Sequence, residues 1–343
     1  MATRERRRRW LALGAVALVA ATWVTALARA EDDFYRGKTV TIVIGSAVGG
    51  AYDQYGRTLA RHIGRHIPGA PAVVPQNMPG AGSMTAVRYL DVTAPRDGTV
   101  MVTFNPSLIM QSIVAAEATN MKFTDVAWIG TATHEFRVCY AWHGTGVKTW
   151  DDLVKAPEFV VGVTGVGTGA YVNGAVLRNL FGVRMRQIMG YPGSAQQRVA
   201  IERGELDGGC SEWNAIPEHW IRDRQIFPIV RWLRETPAGF PESVPFVGDL
   251  ATDDTARQII TMLTAPSELG NPFIASKQVP ADRVAMLRKA FTETMNDPEF
   301  LTEAERQKMP IEPMTGEQAA AICDEIYRDI NPSLIAAARE AMK

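Results

Sequence analysis

The stretch Thr39–Arg61, TVTIVIGSAVGGAYDQYGRTLAR, decides how the rest of the chain is read. Thr39–Ile44 is a β-branched run of strand length, and from Tyr52 onward helix formers carry apolar residues at helical spacing. Between them lies Gly45-Ser46-Ala47-Val48-Gly49-Gly50. A glycine-rich turn from strand into helix lets bare backbone N–H groups converge where the helix's unpaired amides and dipole already favour negative charge. The pattern predicts an anion cradle. The competing reading is a tight β–α connection whose glycines serve only φ > 0.

Working outward, Ala72–Pro75 reads as a second strand, followed by the glycine-rich turn Gln76–Ser83 and a helix over Met84–Leu90. Pro95-Arg96-Asp97-Gly98 is a turn, with proline presetting φ and glycine taking the left-handed position, and Thr99–Phe104 is a buried strand. Strand, helix, strand, helix, strand implies a parallel sheet with crossover helices. The opening pattern recurs at Phe159–Val163, Thr164-Gly165-Val166-Gly167-Thr168-Gly169-Ala170 and a helix from Tyr171. It recurs again where Val183–Met189 ends in Gly190-Tyr191-Pro192-Gly193-Ser194. The expected organisation is a first lobe over 31–104 and 229–343 with a second lobe, 105–228, inserted. Two crossings, near Phe104–Pro106 and Pro228–Trp232, would form the hinge of a cleft.

At 343 residues the chain has room for two domains, and 46% hydrophobic with 21% charged residues is a globular composition. The first 30 residues hold six arginines and one acid; without them the net charge is −6, which leaves no footprint for nucleic acid or an anionic membrane. Residues 1–30 read as a secretory leader: Arg4 and Arg6–Arg9, the apolar run Trp10–Thr25, and cleavage after Ala28-Arg29-Ala30. The apolar run is shorter than the roughly 20 residues needed to span a bilayer. Cys139, Cys210 and Cys323 are too few for a disulfide framework or zinc site. Cys139 and Cys210 fall in strands of one region, where pairing and isolated buried thiols both stay open.

Enzyme readings find little support. Gly165-x-Gly167-x-x-Ala170 fits a dinucleotide turn, but the next strand ends in Gly190-Tyr191 where a ribose-binding acid is needed. His62 and His66 are expected on the polar face of an amphipathic helix, since no third metal ligand is evident. No nucleophile–base set assembles; no catalytic residue, cofactor or metal is expected. A binding reading requires less. If Gly45–Gly50 faces Gly165–Gly169 across the cleft, each offers several amides to one anion. The helix dipole supplies only ~0.3–1 kcal/mol per charge, against ~8 kcal/mol for micromolar affinity. Hydrogen bonds to a charged group, at ~1.5–3 kcal/mol each, carry the difference when several act together.

The sequence resembles the periplasmic solute receptors of tripartite tricarboxylate transporters, the Bug or TctC-like proteins. The likeness rests on Gly49-Gly50-x-x-Asp53 with Arg57, Asn77-x-Pro79-Gly80-Ala81-Gly82, Pro95-x-Asp97-Gly98-Thr99, Gly165-x-Gly167, Tyr191-x-Gly193 and Gly204-x-x-Asp207. It implies a type II periplasmic-binding fold, two α/β lobes joined by a two-crossing hinge, and a small carboxylate carried to membrane permease subunits by a monomeric, non-catalytic Venus flytrap. Mapped here, the ligand-binding residues would be Ser46, Ala47, Gly49, Gly50, Tyr52, Asp53, Asn77, Asn105, Gly165, Val166, Gly167, Thr168, Gly169, Ser194 and Asp207. Asp53 would accept from a ligand hydroxyl or amide, or stabilise its helix start; Asn77 would orient the first loop; Ser194 and Asp207 would line or buttress the cleft. Tyr52 departs from the family's usual small residue, and would stack on the ligand or pack outward. A periplasmic enzyme using the same cleft, or a sensor's binding partner, are the alternatives.

Overall fold

The computed structural model describes residues 34–328 and 331–343; the expected leader, 1–30, lies outside them. β1 (Thr39–Ile44), α1 (Ala51–Ile63), β2 (Ala72–Asn77), α2 (Met84–Val92) and β3 (Val100–Thr103) alternate as expected. β1 pairs in parallel with both β2 and β3. All four residues of β3 are buried, as a strand covered on both faces requires. Two short helices, α3 (Ser107–Val114) and α4 (Ala116–Thr119), lead to β4 (Val126–Thr131).

The chain then builds β5 (Arg137–Trp142), α5 (Trp150–Lys155), β6 (Phe159–Gly162), α6 (Gly169–Phe181), β7 (Met185–Ile188), α7 (Ser194–Glu202), β8 (Gly208–Glu212), α8 (Glu218–Arg222) and β9 (Ile226–Arg231). It continues through α9 (Asp254–Thr264), β10 (Pro272–Ser276), α10 (Ala281–Met295), α11 (Pro298–Arg306), β11 (Met314–Thr315), α12 (Gly316–Arg328) and α13 (Pro332–Ala341). The strands form a six-stranded sheet, β11-β4-β10-β3-β1-β2, and a five-stranded sheet, β7-β6-β8-β5-β9. The architecture is α/β, with two lobes.

The crossings differ from the expected ones. β4 pairs antiparallel with β10 in the first sheet, so the chain does not leave that sheet at Phe104 but after Thr131. Asn105-Pro106-Ser107 marks a helix start instead, with Asn105 Oδ1 accepting from the Ser107 amide at 3.0 Å. β9 pairs with β5 and belongs to the second sheet, so the return lies beyond Arg231. Hydrophobic pattern identifies a strand but not its neighbours, and β4 and β9 each read equally well in either sheet. The outgoing segment is hydrogen-bonded to the returning chain through Ala132 N to Asn271 O, Thr133 N to Gly270 O and Glu135 N to Ser267 O. A Cβ on Gly270 would come within 2.5 Å of the Glu135 nitrogen, so only glycine permits this approach.

Cys139 and Cys210 are directly opposite in the β5–β8 register and form a disulfide, with Cα atoms 4.0 Å apart. Cys323 is free and buried. His62 corrects an expectation: it is buried, its Nε2 2.6 Å from Glu303 and its ring edge-on to Phe300, because α11 packs over that face of α1.

Candidate functional site

Strand register places the site. Ile44, Asn77 and Thr103 end β1, β2 and β3 level with one another, so the three following turns leave the same sheet edge. Gly162 and Ile188 likewise end β6 and β7 together. Carboxyl edges of parallel strands are where open α/β sheets hold ligands. Here the two edges face each other across a cavity of about 340 Å³.

Of the expected residues, Ser46, Ala47, Gly50, Tyr52, Asn105, Thr168 and Ser194 line this one cavity. The others do not. Asp53 is buried and spends its carboxylate on the turn, accepting from Gly49 N at 2.9 Å, Arg57 Nε at 2.8 Å and Asn77 Nδ2 at 2.8 Å. Asn77 also donates to Ser46 O at 2.9 Å, which fixes the first loop. Asp207 accepts from Val160 N at 2.7 Å and ties β6 to the start of β8. Gly49 packs on Ala195, Gly165 on Gly82 and Gly169 on Arg137, while Gly167, at φ +79, backs onto Gln111. Val166 is 50% exposed at the surface.

The facing pairs are exchanged relative to expectation. Gly49 and Gly50 lie against Ala195 and Ser194 at the start of α7, and Arg198 Nη2 donates to Gly49 O at 3.1 Å. Gly165 and Thr168 instead meet Ala81 and Gly82. The sequence shows each loop but not which loop meets which, since that depends on how the lobes sit. α1 and α7 both begin at a glycine, Gly50 and Gly193, with no side-chain cap. Their first amides are therefore left to whatever occupies the cavity. Thr168, by contrast, caps α6 itself, accepting from Tyr171 N.

Among the lining residues outside the expected set, Arg137, Glu212 and Tyr191 carry the ionisable side chains. β5 runs antiparallel to β8, so its first residue, Arg137, sits opposite Glu212 at the edge where the parallel strands end. Tyr52, Glu135, Arg137 and Glu212 are each less than 10% exposed. Arg137 Nη2 donates to Glu135 Oε1 at 2.6 Å and to Tyr52 Oη at 3.3 Å, and Tyr52 donates to the same Glu135 oxygen at 2.5 Å. Tyr52 thus turns inward and links α1 to the crossing. Burial would raise the Glu135 carboxyl, but Arg137's guanidinium holds it below the ordinary range. Glu212 lies farther from that guanidinium, 3.9 Å from Arg137 Nη2, and burial, with Glu135 beside it, outweighs the attraction and pushes it up to about 8. The environment thus favours an ionised Glu135 and a neutral Glu212, and burial pushes the Tyr52 hydroxyl well above its usual value. Among the described residues no cluster of His, Cys, Asp and Glu is placed to hold a metal.

No protein-family profile and no curated protein matches the chain in sequence. Solved structures do match in shape. The periplasmic binding protein BugD superposes with a TM-score of 0.71 at 17% identity, over 90% of this chain and 98% of its own. The chain has the fold of the periplasmic binding proteins. MatC from Rhodopseudomonas palustris, solved with malate, gives a TM-score of 0.68 at 16% identity, over 89% of this chain and 99% of its own. The R. palustris protein Rpa4515, solved with adipate, gives 0.66 at 16%, over 88% and 97%. The periplasmic-binding fold places the cavity between its two lobes, where both sheet edges reach it.

Proposed function

We propose that the protein is an extracytoplasmic solute receptor that closes its two lobes over a small mono- or dicarboxylate and presents the closed form to the permease subunits of a tripartite tricarboxylate-type transporter. One observation carries the reading: two glycine-started helices, α1 and α7, open uncapped onto a single cavity between the lobes. Their amides recognise a carboxylate as other anions are held at helix starts. The malate and adipate bound by MatC and Rpa4515, which share the fold, support the ligand class. The leader expected over residues 1–30, cleaved after Ala30, supports delivery to the periplasm, where the protein acts as a monomer. The lining carboxyl and guanidinium groups are engaged with each other, which favours capture over catalysis.

The test is calorimetry with malate, adipate and a panel of related mono- and dicarboxylates. Ligand at 100-fold over its Kd adds about 2.7 kcal/mol of stability, a shift of several degrees in melting temperature. Gly50→Val removes binding with the fold intact. The Gly50 backbone is extended, at φ −98 and ψ 176, which valine adopts, while a Cβ there already stands 3.2 Å from Ser194 Oγ. Wild-type affinity in that variant overturns the reading, as does recovery of chemically altered ligand.

A further inference from the structure

We infer that Arg137 is the charged contact for the ligand's carboxylate and that Gly169 is the residue that admits it. The inference rests on the receptor reading and adds to it a side chain, where that reading has backbone amides alone.

Arg137 is the one cationic side chain lining the cavity among the described residues. It is 6% exposed, and a guanidinium is not buried without a use for its donors. Its hydrogen bonds to Glu135 and Tyr52 run through Nη2, and Nε has no protein partner. Nε is itself buried against Gly169, so the donors an anion would meet are those of the guanidinium end, and a strut that only tied the crossing to β5 would leave the cavity-lining position of Arg137 unexplained.

Placement supplies the second argument. A Cβ on Gly169 would fall 2.5 Å from Arg137 Nε and 2.6 Å from Cζ, so the guanidinium lies flat against the first residue of α6. Thr168 and Ala170, on either side, both line the cavity. From the other lobe Tyr52, in the first turn of α1, reaches the same guanidinium. An anion in the cavity therefore meets the starts of two helices and Arg137 together. The wall does not repel it. Glu135 is balanced by Arg137, and Glu212 carries a proton at neutral pH.

Two variants test the assignment by calorimetry with malate and adipate. Gly169→Ala keeps every charge and suits a helix start, and the atoms its added Cβ meets are those of the Arg137 guanidinium and no backbone atom. The double variant Glu135→Gln with Arg137→Gln removes both charges without stranding either. Each is expected to bind the better of the two acids roughly 10- to 100-fold more weakly, as loss of a hydrogen bond to a charged group does. The melting temperature of Gly169→Ala should stay within a few degrees of wild type. Arg137→Lys, which keeps the charge, should recover part of the loss seen in the double variant. Wild-type affinity in Gly169→Ala and in the double variant overturns the assignment. If that holds while Gly50→Val has lost binding, the receptor reading stands and only Arg137's role falls. Failure of the wild-type protein to bind any carboxylate of the panel overturns both.

Discussion

Glu212 is a carboxyl that the fold keeps protonated at a pH where the unfolded chain would ionise it. It is 5% exposed, and its near neighbours are the Glu135 carboxylate, the Asn271 amide donor at 3.4 Å and the Arg137 guanidinium at 3.9 Å, whose attraction burial and Glu135 together outweigh. Its folded value is raised to about 8, against an ordinary value near 4.5. Between those values the folded protein holds one proton more than the unfolded chain. Stability must therefore fall as pH rises through the window, by about 1.4 kcal/mol per pH unit for one proton, and level off above it. Glu212→Gln supplies a neutral amide at all pH values and removes that slope. Urea unfolding at pH 5, 6, 7 and 8 should show the variant gaining on wild type at each step. A constant difference across the four would mean that Glu212 ionises normally.

At the scale of the element, each glycine turn with its helix was legible because it is local: strand, bare turn and helix start lie within about 20 residues. Gly45–Gly50 ahead of α1, Thr164–Gly169 ahead of α6 and Gly190–Ser194 ahead of α7 all stand where periodicity places them. What pairs with what was not legible. Arg137 sits in an apolar strand sequence and reaches the cavity only because β5 runs antiparallel to β8, a fact of long-range register. The same register brings Cys139 against Cys210. Asp53 shows the local rule at work: a first-turn acid that holds the turn by accepting from Gly49, Arg57 and Asn77. Asp53→Ala strips the acceptor from all three and should cost about 2–3 kcal/mol in urea unfolding, much of it from donors left unpaired in a half-buried turn. A loss under about 0.5 kcal/mol would show that the turn holds itself.

For the whole molecule, the lobes meet through few polar contacts. Tyr52 donates to Glu135 beside the crossing, and Asn214 Nδ2 donates to Tyr55 Oη at 3.3 Å. Lys308 pairs with Glu218 at the surface, where a salt bridge is worth about 0–1 kcal/mol. Arg198 on α7 bridges the cleft mouth: Nη1 donates to Ala215 O within its own lobe, and Nη2 to Gly49 O of the facing one, each at 3.1 Å. That charge-assisted bond forms only when the lobes are apposed, so it biases the closed state; Arg198 itself does not line the cavity, though it bonds Ser194 Oγ and Ala215 O, which do. Arg198→Ala should leave intrinsic ligand contacts intact and lower the closed fraction. Apparent affinity falls by that same fraction, roughly 10-fold for the loss of ~1.5 kcal/mol. Small-angle scattering separates this from damage to the site: the ligand-free variant should have a larger radius of gyration than wild type, and saturating ligand should return both to one value. Equal radii without ligand, together with weakened binding, would place Arg198 in the site and not in the balance between open and closed lobes.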